Sequence, residues 1–123
     1  FQADNYLWTH AGVHKGWYNY VFKSEIKGLR LDNLTISGQL NSSFLYGLKS
    51  IHDCSFYRGG SKKVGGPLWL DKSEFVKKPL DDYHQIVGHS HVDKIETFDK
   101  NNSSITLCDV LNNEVSFYEL NID

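Results

Sequence analysis

The stretch Gln85-Ile86-Val87-Gly88-His89-Ser90-His91-Val92 joins a short apolar run to a glycine and two histidines. Gln85-Ile86-Val87 predicts a buried-type strand, and a spacing of two puts His89 and His91 on the same side of an extended segment. Gly88 lets another backbone approach closely. A matching arrangement lies near the start, where Tyr6-Leu7-Trp8 predicts a strand running into Thr9-His10-Ala11-Gly12-Val13. In α/β sheets, ligands collect outside the carboxyl ends of strands, so neighbouring strands would bring the two histidine clusters into one site. Neutral imidazole is a favoured ligand for Zn, Mn, Fe and Ni. On its pattern alone, Gly-His-x-His is read equally well as a surface turn without metal.

Outward from these strands, Trp17, Tyr20, Val21 and Ser24 recur at three- and four-residue steps and predict a helix from His14 to Ser24, stopped by Gly28. Leu31 to Leu48 predicts two short helices or one bent one, with Gly38 interrupting. Arg58 to Pro67 is so rich in glycine that a mobile surface loop is expected. Asp71 with Glu74 suits a helix start, and Pro79 marks its exit. Lys94–Phe98, Ser104–Cys108 and Val115–Leu120 predict a closing meander of strands, with turns at Asn101-Asn102 and Asn112-Asn113. Helices first and a β meander at the end make an α/β or α+β layered domain, a single domain over residues 1–123.

Charge and cysteine usage narrow the class of function. Thirteen Lys+Arg against fifteen Asp+Glu leave a formal charge of -2, so no bulk cationic field exists to hold nucleic acid nonspecifically. No apolar stretch approaches the roughly 20 residues of a membrane-spanning helix, and Phe1-Gln2-Ala3-Asp4-Asn5 lacks the basic start and apolar core of a signal peptide. Cys54 and Cys108 show no CxxC spacing and read as free thiols of a reducing, cytoplasmic compartment. The chain contains no methionine and opens almost directly on a strand, from which a fragment of a longer protein is expected.

Thr9-His10-Ala11-Gly12-Val13 and Gln85-Ile86-Val87-Gly88-His89-Ser90-His91-Val92 resemble the last two signature blocks of the calcineurin-like metallophosphoesterases. Arg58-Gly59-Gly60 and Gly66-Pro67-Leu68-Trp69 look like segments between those blocks in the bacterial and phage serine/threonine-phosphatase-like branch. The resemblance covers essentially the whole chain but only the carboxyl-terminal half of the family's domain, a layered α-β-β-α sandwich. It implies that His10 and His89 are ligands of one metal in a dinuclear centre of Mn, Fe or Zn. His91 would serve the other metal, as in many phosphoesterases, although the phosphatase-like branch often carries another residue there. The substrate implied is a phosphate ester, on a phosphoprotein or a nucleotide. Nothing ahead of His10 supplies the family's earlier blocks, which carry the remaining ligands, the bridging Asp and the acid for the leaving group.

Arg58 is the candidate for the substrate phosphate, because a guanidinium grips two phosphoryl oxygens and the adjoining glycines permit close approach. His14 is expected to be an exposed residue at the start of the first helix, and His52 and His84 are given no role. Lys62 and Lys63 read as a solvated pair, Asp71 as a helix cap, and Trp17, Tyr18, Tyr20, Phe22 and Trp69 as core. Imidazoles without carboxylates hold a metal weakly, so the chain alone is expected to be inactive, and exposed apolar surface is expected to favour a homodimer. The alternative reading is a noncatalytic α/β binding module with a vestigial histidine cluster.

Overall fold

The computed structural model describes residues 1–122. It is a mixed α/β structure whose five strands form one sheet: β1 (Gln2–Ala3), β2 (Tyr6–Thr9), β3 (His84–His91), β4 (Glu96–Lys100) and β5 (Ser103–Asp109). Their spatial order is β1-β2-β3-β5-β4. The β2/β3 and β3/β5 pairs are parallel and the two edge pairs antiparallel. The expected closing meander is therefore only the β4–β5 hairpin, turning at Asn101-Asn102, where Asn101 has φ 53°. Val115–Leu120 forms no strand; its alternating apolar residues find no neighbouring edge, and Val115 and Phe117 stay exposed.

Leu7, Gln85, Val87, Ile105 and Leu107 share one face of the sheet and are buried there. Two apolar clusters cover that face. The first packs Leu7 with Val13, Trp17, Phe22 and Ile26, and the second packs Val87, Ile105 and Leu107 with Leu70 and Phe75. On the opposite face Tyr6, Trp8, His84 and Cys108 are half-exposed.

The first helix begins at Lys15, runs as a π-helical segment over Trp17–Phe22 and ends as α1 (Lys23–Ile26). Its buried face is Trp17, Tyr18, Phe22 and Ile26, whereas Tyr20 and Val21 are exposed. The departure from the expected face follows from the geometry: i→i+5 bonding brings residues five apart into line. Trp17 and Phe22 accordingly stack at 5.0 Å with planes 17° apart. From Leu31 to Leu48 a single helix forms, α2 (Ile36–Leu45), capped by Thr35, whose Oγ1 accepts from Gly38 N.

The glycine-rich segment is not loosely attached. Gly60 N, Lys62 N and Gly66 N donate to the carbonyls of Ser55, Cys54 and Asp53. A Cβ on Gly60 would stand 2.0 Å from Cys54 O, and one on Gly66 2.6 Å from Ser50 O. Glycine is required there by backbone packing rather than by mobility. Asp71 caps α3 (Lys72–Phe75) through Ser73 N, and Glu74 accepts from Asp71 N in return, the expected reciprocal box. No helix among the described residues is long and apolar enough to cross a membrane.

Candidate metal centre

Parallel pairing of β2 with β3 sets Trp8 opposite Ile86 and Thr9 opposite Val87. Gly88 N then donates to His10 O at 3.0 Å, which carries the pairing one residue beyond β2 and fixes the two histidine-bearing backbones side by side. A Cβ on Gly88 would meet His10 O at 3.8 Å, an ordinary contact, so the close approach expected there does not demand glycine. His10 Nε2 and His89 Nδ1 share a hydrogen bond of 3.1 Å, whose proton an incoming metal would displace. Two nitrogens bound at about 2.0–2.1 Å to one metal, at tetrahedral or right angles, stand roughly 2.8–3.4 Å apart, so the pair already has ligand spacing.

His89 does not continue the strand's alternation. Its φ is +62°, and the β3–β5 register shifts between Val87 and His91. That bulge sends the two histidines to different partners: His89 to His10, and His91 Nδ1 to Asp109 Oδ1 at 3.2 Å. The expectation that His89 and His91 share one side fails because a left-handed residue interrupts the extended backbone.

Burial lowers the pKa of His89 below 6.5, the nearby Arg58 and His10 add to the effect, and Asp71 and Asp109 oppose it. The rings of Trp69 and His89 meet in a T shape, with 5.9 Å between centroids. The shift favours the neutral ring, the form that ligates. Its Nε2 is buried with no hydrogen-bond partner among the described residues, an arrangement that costs about 1–3 kcal/mol unless something answers it.

Arg58 is drawn toward this pair. Its Nη2 donates to Ser90 Oγ at 3.0 Å, and its Nε stands 2.8 Å from Asp71 Oδ1, an ionic contact off the N–H axis rather than a directed hydrogen bond. Ser90 Oγ also accepts from Lys72 N at 3.2 Å, so the serine between the two histidines ties the arginine to the start of α3. Burial pushes the Asp71 carboxyl up, but hydrogen bonds from Ser73 and the charge of Arg58 outweigh it and hold the pKa below 3.8. Asp71 is thus both helix cap and arginine partner. Ser90, Asp109 and the second role of Asp71 escaped the sequence reading; the one available signal was a serine set between two histidines.

The donor set fits part of a metal's ligand sphere. Two imidazoles converge, but the nearby carboxylates of Asp71 and Asp109 are engaged by Arg58 and His91. No group of three or more metal-binding side chains gathers among the described residues. Beside His10 opens a groove of about 560 Å³, lined by Trp8, Leu40, Phe44, Leu68, Ile86 and Cys108.

The remaining histidines lie elsewhere. His14, expected at the surface, is buried, because its Nδ1 accepts from Gly16 N and Trp17 N and so caps the first helix. His84 pairs with Ser104 Oγ at 2.8 Å, and His52 is exposed. Lys62 lies 3.6 Å from Asp53, Trp69 is partly exposed, and Cys54 and Cys108 are free thiols. The chain matches no protein-family model, no curated protein and no solved structure.

Proposed function

We propose that this chain is the carboxyl-terminal half of a calcineurin-like metallophosphoesterase and supplies the imidazole ligands of His10, His89 and His91 to a dinuclear centre that hydrolyses a phosphate ester. The observation that carries the proposal is the 3.1 Å approach of His10 Nε2 to His89 Nδ1 at the carboxyl ends of two adjacent parallel strands. The lowered pKa of the His89 ring supports it, as does the resemblance of the two sequence blocks. Two divalent ions in such a centre supply a water nucleophile and neutralise phosphoryl oxygens.

The chain's own residues have narrower tasks. His10 and His89 hold one ion as neutral ligands, each turning a nitrogen to it. His91, oriented by Asp109, serves the second ion in the same reading. Arg58, braced by Asp71 and Ser90, presents the rest of its guanidinium to a phosphoryl oxygen of a phosphoprotein or nucleotide. The family's layered sandwich and a cytoplasmic location belong to the same proposal, the latter supported by the two free thiols.

Calorimetric titration with Zn²⁺ and Mn²⁺ tests this reading. One ion binds per chain, and His10→Ala and His89→Ala each weaken it about tenfold or more. The chain alone leaves an aryl phosphate unhydrolysed, since it brings no carboxylate ligand to the pair. Absence of binding in the unsubstituted chain removes the reading in favour of a noncatalytic module.

A further inference from the structure

A second concave site lies at the other end of the sheet. Asp81 precedes β3 by three residues and Ser103 opens β5, so this cleft sits at the amino ends of β3 and β5, away from the carboxyl end of β3 that carries His89 and His91. It encloses about 350 Å³ and is walled by three separate segments that bring Lys15, Lys77, Lys78 and Lys100 together. Only Asp81 among its lining residues is acidic, although the chain as a whole carries a formal charge of -2.

The walls are tied to one another. Lys15 N donates to Lys78 O at 3.1 Å, His14 and Pro79 form a β-bridge, Asp82 N donates to Ser103 Oγ at 3.0 Å, and the Lys100 ammonium donates to Lys77 O. Lys15 is paired with Asp81 at 2.5 Å. Among the described residues, no carboxylate lies within 4.0 Å of the ammonium groups of Lys77, Lys78 or Lys100. Holding like charges around a concavity costs energy in the free protein, and the same concavity focuses their field on an anion.

We propose that this cleft binds a small oligophosphate anion. The volume suits a chain of two or three phosphoryl groups, and lysines serve as point charges for oxygens that need no fixed bidentate geometry. Asn19, Asn101 and Ser103 add hydrogen-bonding groups. At the rim Tyr20 is 82% exposed and offers a free aromatic face to a nucleobase, if the oligophosphate belongs to a nucleotide.

Titration of the metal-free chain at low salt with tripolyphosphate and with ATP, in the presence of a chelator, is the test. Both ligands bind, and binding falls as ionic strength is raised toward about 0.15 M. Lys77→Gln and Lys78→Gln, both at exposed positions, each weaken it about fivefold, the worth of one unit-charge contact near 4 Å in water. His89→Ala leaves it unchanged, which separates the cleft from the candidate metal centre. Equal affinity for the two ligands assigns the cleft to the inorganic anion. Tighter binding of ATP that Tyr20→Ala abolishes assigns it to a nucleotide. No binding, binding indifferent to both lysines, or binding lost in His89→Ala overturns the proposal.

Discussion

Gly12 follows the His10 strand by three residues and is held at φ +107°, where a Cβ would stand 2.4 Å from the Phe75 ring. Gly12→Ala therefore combines backbone strain with overpacking and costs about 2–4 kcal/mol, measured by denaturant unfolding. Because Phe75 belongs to α3, the same substitution also disturbs the segment that carries Asp71 and braces Arg58. At this scale the sequence was partly legible. The pairing of His10 with His89 could be anticipated because each follows a short apolar run and parallel strands align their carboxyl ends. The divergence of His91 could not, because nothing in Gly88-His89-Ser90-His91 announces that the histidine rather than the glycine takes the left-handed conformation. The capping role of His14 was hidden for a similar reason: imidazole is not among the usual cap residues, so no propensity points to it.

Elements depend on a few side chains that reach across them. Glu74 accepts from Ser55 Oγ, Gly65 N and Asp71 N, and so binds the glycine-rich segment to α3. Glu74→Ala leaves three donors without their acceptor and costs about 2–3 kcal/mol; amide exchange at Gly65 speeds up by a larger factor than exchange in β5. Equal acceleration in both places would mean that Glu74 contributes only to global stability. The glycines looked like a flexible loop in the sequence, since composition cannot distinguish glycine chosen for freedom from glycine chosen for contact. The first helix was legible as a helix but not by face, because a 3.6-residue period cannot reveal a π-helical segment in which Trp17 meets Phe22. Val115–Leu120 has the alternation of a strand, yet a strand also needs an edge to pair with.

Across the molecule a formal charge of -2 leaves little self-repulsion near neutral pH, so the acid response is set by individual groups. The pKa of His14 is lowered below 6.5 by burial and then by Lys78, with Glu74 opposing, and that of His89 is lowered as well. The unfolded chain then takes up protons near 6.5 that the folded chain resists. Stability is full above that value and declines as pH falls through 6.5 toward the lowered folded values. Denaturant midpoints followed from about pH 7.5 to 5.5 should fall, and His14→Asn, which keeps an acceptor for the cap, should lessen the fall. A fall of the same size in that variant would contradict the assignment to His14. The α/β class and the adjacency of β2 and β3 underlie the candidate metal centre, and both meet at one pair of rings. Ring-nitrogen NMR of the histidines during a Zn²⁺ titration observes that pair directly. Coordinated shifts of His10 and His89 that saturate together at one ion per chain, with His14, His52 and His84 unmoved, are the predicted result. Shifts confined to other histidines, or none at all, would contradict it.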